Sequence, residues 1–330
     1  MVDHRRLRQE AGSTRPIVTS DIEIWRLTDG KRGHERQTEG LVTALRDLIP
    51  ASVSSISIET TALRSAFDFC RGRFPKGAVL PPPHLIIAAG HACQWPLLAA
   101  RRAYGGRCVY LMRPTLPTRW FDLCIIPRHD DPRASARIIV SEGPLNPIGP
   151  TPPHAGQTGL ILIGGSSRHY GWNTRDILRQ ITRLTERRPD VTWQISDSRR
   201  TPDDLRSALD RATFINAEYL PHNRLDRNWL PAAMQLSRYI WVSADSVAMI
   251  YEALTSGALV GLMDVPAKRQ SRITKLISDL KARKQIACLD DWLEFGTIKR
   301  DSGPLNEAPR CAQLIAERWP EISNQKDRRG

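Results

Sequence analysis

The sequence lacks any long apolar run, and this restricts where the protein can lie. No stretch approaches the roughly 20 consecutive apolar residues that a membrane-spanning helix needs. Residues 1–20 are polar, carry charges of both signs and lack the hydrophobic centre of a secretory signal peptide. We therefore expect a cytoplasmic protein, with residues 1–20 forming a disordered tail.

Paired cysteines are also missing. The six cysteines lie far apart and include no Cys-x-x-Cys pair, which argues against a structural zinc site or a redox motif. We expect reduced thiols, most of them packed in the interior. The sequence predicts no metal ligands and no bound cofactor.

Positive charge, by contrast, is abundant. The formal net charge is +13, which favours acidic partners such as nucleotides, anionic lipid headgroups or nucleic acid. No zinc finger, helix-turn-helix or compact aromatic and basic platform appears, so we expect no specific nucleic-acid binding. The basic surface suits peripheral contact with an anionic membrane, such as an inner membrane.

The length and one proline-rich stretch predict two domains. A chain of 330 residues is too long for one ordinary core, and residues 143–156 hold five prolines without an apolar period. We predict a first domain over 21–148, a linker over 149–157 and a second domain over 158–286. Residues 287–330 form a C-terminal helical segment, whose helix over 305–319 could cross back to the first domain.

Both halves repeat one pattern, in which an apolar strand breaks into small and polar residues before a helix. In the first half these residues follow strands predicted at 22–27, 85–89 and 123–127. The pattern is typical of a doubly wound parallel sheet with a ligand site along its carboxyl edge. The residues concerned are Asp29, Gly30, Lys31, His34, Gly90, His91, His129 and Asp130.

Asp29 and His34 are the candidates for acid-base chemistry, because they bring two titratable groups to the end of the first strand. Their loop is neither Gly-x-Gly-x-x-Gly nor a P-loop, so the standard nucleotide motifs are absent there. The alternative interpretation is a turn without a catalytic role.

The second half offers an anion site. A strand over 160–163 ends in Gly164, Gly165 and Ser166, and a strand over 191–195 leads to Arg199 and Arg200. Backbone N–H groups of such a loop and arginine side chains can bind phosphate. A further short strand is predicted at 213–216.

The clearest unit is a strand, helix and strand over residues 239–263. Asp245 and Ser246 stand where the helix begins, and Glu252 lies about two turns into it. Helix N-termini at the carboxyl edge of a sheet attract anions. The alternative is that Asp245 and Ser246 only cap the helix while Glu252 is solvated.

Taken in order, these segments resemble the elongated-mitochondria type of mitochondrial-fission proteins and the GT-B glycosyltransferases. The residues that carry the resemblance are Asp29-Gly30-Lys31, Gly33-His34-Glu35 and Gln37, Phe121-Asp122, Pro127 and His129-Asp130, Gly143-Pro144-Leu145-Asn146, Gly164-Gly165-Ser166, Ser198-Arg199-Arg200-Thr201-Pro202, and Ala244-Asp245-Ser246 with Met249, Glu252 and Gly257. Where that family has glycine and arginine after the third strand, this chain has Gly90 and His91.

The resemblance implies two Rossmann-like domains facing across a cleft. The second domain would bind a nucleotide-diphospho-sugar, with Glu252 at the ribose, and the first a lipid or cell-envelope glycan acceptor. The implied activity is metal-independent glycosyl transfer, for which we expect His34 or Asp29 to deprotonate the acceptor. The alternative is a non-catalytic adaptor with a vestigial pocket.

Overall fold

The computed structural model describes residues 22–149, 156–299 and 303–323. The predicted tail over 1–20 and most of the predicted linker lie outside these ranges. None of the helices within them combines the length and the apolarity that crossing a membrane requires.

The first domain is a six-stranded parallel sheet with the strand order β2-β1-β3-β4-β5-β6 and helices on both faces. Its elements are β1 (Ile22–Thr28), α1 (Arg32–Leu48), β2 (Ala51–Ser57), α2 (Ala62–Cys70), β3 (Leu85–Ala89), α3 (Gln94–Tyr104), β4 (Arg107–Leu111), β5 (Leu123–Pro127) and β6 (Ile138–Ser141). β3 and β5 are buried along their whole length, as continuous apolar runs in a parallel sheet predict.

The second domain is a separate five-stranded parallel sheet with the order β11-β10-β7-β8-β9. Its elements are β7 (Thr158–Leu162), α4 (Thr174–Arg187), β8 (Thr192–Ser196), α5 (Asp203–Arg211), β9 (Ala217–Leu220), α6 (Trp229–Leu236), β10 (Tyr239–Ser243), α7 (Val247–Ser256), β11 (Leu259–Met263), α8 (Arg272–Ala282) and α9 (Leu289–Phe295). Two parallel sheets confirm the predicted α/β class.

The end of the chain returns to the first domain. Helix α10 (Glu307–Arg318) packs against α1, and the short α11 (Pro320–Ser323) follows it. Cys311, Ile315 and Trp319 are buried in the core that α1 shares with β1 and β3.

The predicted strand at 213–216 is wrong, since β9 lies four residues later. Ile215 is fully exposed, and the Asn216 side-chain amide donates to the carbonyls of Thr185, Arg188 and Val191 at 2.9 to 3.1 Å. This clamp makes the segment an anchored loop. β9 is a half-exposed edge strand whose residues Ala-Glu-Tyr-Leu give a weak apolar signal. Strand β6 was not predicted at all.

Candidate functional site

Helix α7 lies at the junction of the two domains. The Tyr251 hydroxyl donates to the carbonyl of Glu142 at 3.0 Å, and the Asn146 side-chain amide donates to Thr255 Oγ1 at 3.1 Å. A side chain at Gly143 would overlap the Tyr251 ring, so the backbone of the first domain approaches α7 closely. The helix that carries the predicted ligand residues is therefore also one of the helices through which the domains contact each other.

Each sheet has one point at which the strand order reverses. In the first sheet it lies between β1 and β3, and in the second between β7 and β10. Ligands of open α/β sheets bind at such points, outside the carboxyl ends of the strands. Asp29 and Gly90 follow β1 and β3, whereas Gly164 and Asp245 follow β7 and β10. The topology thus brings predicted residues to both reversal points.

At the first reversal point, Asp29 and His34 form a hydrogen-bonded pair. His34 Nδ1 lies 2.9 Å from Asp29 Oδ2, and the Asp29 side chain is almost fully buried. An ionised carboxylate only accepts, so this bond places the proton on Nδ1 and leaves Nε2 as the basic nitrogen. Gly90, at φ +89°, packs on the pair, and a Cβ there would overlap His34 and come within 2.7 Å of Asp29 Oδ2.

The other predicted acceptor residues of this region have weaker positions. Gly30 adopts φ +73°, which a glycine tolerates, and the N–H of Lys31 donates to Asp29 Oδ1 at 3.2 Å. His91 is exposed in a short 3-10 helix after β3. Their role in acceptor binding stays a prediction.

At the second reversal point, the glycine loop is closed by the end of β10. The N–H of Gly164 donates to Ser243 Oγ at 2.7 Å, and the N–H of Gly165 donates to Asp245 Oδ2 at 3.0 Å. Asp245 also pairs with Arg200 at 2.8 Å, and its side chain is fully buried. The expectation that these N–H groups would donate to a pyrophosphate needs correction, because neither is free in this conformation.

A cavity of about 410 Å³ lies between the domains, and its lining holds five arginines and three carboxylates, those of Asp197, Asp226 and Glu252. It is lined by the first turns of α1 and α7 and by the segments that follow β8 and β9. Its arginines are Arg32, Arg36, Arg199, Arg200 and Arg227. Of the predicted donor residues, Arg199, Arg200, Ser246 and Glu252 line it, whereas Gly164, Gly165, Ser166 and Asp245 do not. His34 and Asp29 are also outside the lining, although Gly33 belongs to it.

Glu252 is held by an ion pair that crosses from one domain to the other. Its Oε1 accepts a hydrogen bond from Arg36 Nε, and Glu252 is 4% exposed. Burial raises the pKa of Glu252, and the Arg36 guanidinium opposes that rise. Within the described residues, Arg36 Nη2 is buried without a hydrogen-bond partner. The solvated carboxylate of the alternative interpretation is therefore ruled out.

Two further residues belong to this cavity, and the sequence interpretation missed them. The buried Asp197 accepts from Arg206 Nε at 2.8 Å and lies 3.0 Å from His222 Nδ1. Asp197 and His222 both line the cavity. His222 follows strand β9, so the rule that polar residues follow strands would have found it had β9 been located correctly.

His129 and Asp130 lie in a second cavity, of about 440 Å³, to which α7 contributes Tyr251. The His129 ring stacks on Tyr251 with 6.3 Å between centroids, and Asp130 pairs with Arg272 at 2.9 Å. Burial lowers the pKa of His129, because it penalises the charged imidazolium. These two predicted acceptor residues are thus separated from Arg36 and Glu252.

Comparison with known proteins identifies the family. Residues 32–319 match the family described as mitochondrial fission ELM1. The chain belongs to the mitochondrial fission ELM1 family. This confirms the resemblance drawn from the motifs.

Three proteins similar to this ELM1 family member differ widely from it in sequence. An uncharacterized protein of Rickettsia prowazekii, RP120, is 24% identical over 358 aligned positions, covering 89% of this chain and 98% of that protein. A putative UDP-N-acetylglucosamine 2-epimerase from Listeria monocytogenes superposes with TM-score 0.61 at 11% identity, covering 92% of this chain and 98% of the other. MurG of Acinetobacter baumannii gives TM-score 0.55 at 12% identity, with coverages of 90% and 99%. These likenesses establish a GT-B fold of two Rossmann-like domains for the ELM1 family member.

Proposed function

We propose that this protein is a glycosyltransferase that binds a nucleotide-diphospho-sugar in the basic cavity between its domains. The observation that carries the proposal is the lining of this cavity, in which five arginines outnumber three carboxylates and to which the N-terminal half of α7 contributes. A diphosphate carries concentrated negative charge, which arginines bind in a bidentate manner and which a helix N-terminus also attracts. The Listeria protein, which shares the fold, is described as a putative UDP-N-acetylglucosamine 2-epimerase.

The lining suggests an orientation for the donor. Trp229 and Leu230 offer apolar surface to the base, and the arginines and the N-terminus of α7 offer positive charge to the diphosphate. The Glu252 carboxylate accepts hydrogen bonds from the ribose hydroxyls. To do so, it gives up part of its hydrogen bonding with Arg36. The buried unpartnered Nη2 of Arg36 is then available to a phosphate oxygen.

The paired Asp29 and His34 are proposed to serve the acceptor, a lipid or a cell-envelope glycan. The oxygen of the acceptor hydroxyl forms a bond to the anomeric carbon of the donor sugar, and His34 Nε2 takes the proton of that hydroxyl. The bond from that carbon to the diphosphate oxygen breaks, and the leaving diphosphate keeps the electron pair. Its charge is received by the arginines of the cavity, which therefore supply the electrostatic stabilisation.

Titration calorimetry with UDP and with UDP-N-acetylglucosamine tests the donor site. Arg199 and Arg227 line the cavity without an ion pair within the described chain, so their loss should not disturb other contacts. Replacing either with alanine should weaken binding by about 10- to 150-fold, which corresponds to about 1.5–3 kcal/mol for a charged hydrogen bond. Glu252→Ala should do the same. Arg183→Ala, on the exposed side of α4, is the matched control and should bind normally.

One observation favours a second function, that of a non-catalytic adaptor. The ribose acceptor Glu252 is already satisfied by Arg36, which would suit a closed and vestigial pocket. If the wild-type protein binds none of UDP, GDP, ADP, CMP and the corresponding nucleotide-sugars, the proposed transferase activity is refuted and the adaptor function is favoured.

A further inference from the structure

Helix α2 carries a short stripe of exposed apolar side chains. Leu63 is 85% exposed and Phe67 is 53% exposed, and they stand four residues apart on one face of the helix. The exposed Cys70 continues the stripe by one more turn. These side chains are neighbours on one face of the helix, and grouped exposed apolar side chains are a feature of interaction surfaces.

Positive charge surrounds the stripe. The Arg71 guanidinium carbon lies 4.0 Å from the centre of the Phe67 ring. Residues 62–76 hold four basic side chains and one acidic side chain, Asp68. Within the described residues, Arg64, Arg71 and Arg73 form no ion pair. The charge is therefore available to an anionic partner.

The N-terminal end of the stripe lies at the carboxyl edge of the first sheet. Helix α2 follows β2, which pairs with β1, and all strands of the sheet are parallel. The start of α2, where Leu63 stands, is therefore at the same edge of the sheet as Asp29.

We propose that α2 is a docking surface for an anionic lipid bilayer. Leu63 and Phe67 are exposed one helical turn apart and lie near three arginines in the sequence, a combination that suits the headgroup and acyl boundary of an anionic membrane. The flanking arginines can extend to the lipid phosphates while their stems cover the apolar side chains. Two anchors and three arginines give weak, reversible attachment, so the protein should exchange between water and membrane. This inference does not depend on nucleotide binding.

Flotation of the full-length protein with vesicles tests it. The wild type should bind phosphatidylcholine vesicles that contain phosphatidylglycerol, and should be released by added salt. The double variant Leu63→Ser and Phe67→Ser should partition at least about tenfold less. Arg64→Glu with Arg71→Glu should also bind at least about tenfold less to phosphatidylglycerol vesicles. The matched control is Ile215→Ser with Leu236→Ser, which removes two exposed apolar side chains from the second domain and should bind like the wild type.

The outcomes of these experiments distinguish a membrane from other partners of the α2 surface. Unchanged flotation of the Leu63 and Phe67 variant, or an equal loss in the Ile215 and Leu236 control, would overturn the proposal. So would a wild type that ignores the vesicles but self-associates in sedimentation, with self-association lost in the α2 variant, because the stripe would then bind a second copy. Thermal melting of each variant must match the wild type, as surface changes predict.

Discussion

Replacing Arg36 tests how much the ion pair with Glu252 contributes to the stability of the junction between the domains. Both side chains are largely buried, at 16% and 6% exposure, so water screens the pair little. In Arg36→Met, the Glu252 carboxylate keeps its burial and loses its cation. Removing one partner of a buried pair costs about 3–5 kcal/mol, and the lower end applies here because Glu252 can take up a proton instead.

The pH dependence follows from the direction of the Glu252 shift. A raised pKa means that the folded state binds more protons than the unfolded state between the ordinary value of 4.5 and the folded pKa. Stability from this group is therefore present below 4.5 and is lost as the pH rises through the folded pKa. Without Arg36 that pKa should rise further. The destabilisation by Arg36→Met should be largest near neutral pH and shrink towards about pH 5.

Denaturant unfolding of four proteins measures the effect. These are the wild type, Arg36→Met, Glu252→Gln and the double variant, each followed by tryptophan fluorescence at neutral and at mildly acidic pH. The double variant should recover most of the stability lost in Arg36→Met, because it leaves no buried charge. Equal losses in Arg36→Met and the double variant, or the same loss at both pH values, would refute this account of the junction.

Three further predictions concern single residues. Gly90→Ala should lower the melting temperature more than Gly30→Ala. Both glycines lie at positive φ, but only a Cβ at Gly90 would overlap the hydrogen-bonded pair of His34 and Asp29. Equal shifts in melting temperature would mean that Gly90 does not pack tightly on this pair. Asp245→Asn should cost about 1.5–3 kcal/mol in denaturant unfolding, because Asp245 binds Arg200 and the Gly165 N–H; no loss would mean that the loop is held otherwise. For His129, whose pKa burial lowers from 6.5, stability should fall as the pH drops from 6.5 through the folded pKa. Asp130, Arg272 and Tyr251 face this ring, and melting curves of His129→Phe should lack that part of the pH dependence.

The alternation of apolar strands and polar turns was visible in the sequence because it is a local property. The unit over 239–263 reads as strand, helix and strand from its own residues, with Gly257 ending the helix in the left-handed conformation. Five-residue buried strands such as β3 need no distant information. The weak edge strand β9 was misplaced, and with it His222, because edge strands carry little apolar signal.

The α/β class, the two domains and the polar groups at the strand ends could all be predicted from local patterns. The spacing of apolar residues that distinguishes a helix from a strand is visible within a few residues. What those polar groups contact depends on the packing of distant segments. Arg36 and Glu252 are 216 residues apart, and Asn146 and Thr255 are 109 apart, so no local pattern could pair them. In the folded chain, Asp245 points inward and binds the glycine loop, and Arg36 lies against Glu252. A buried polar group cannot bind water, so it needs a hydrogen-bond partner within the protein.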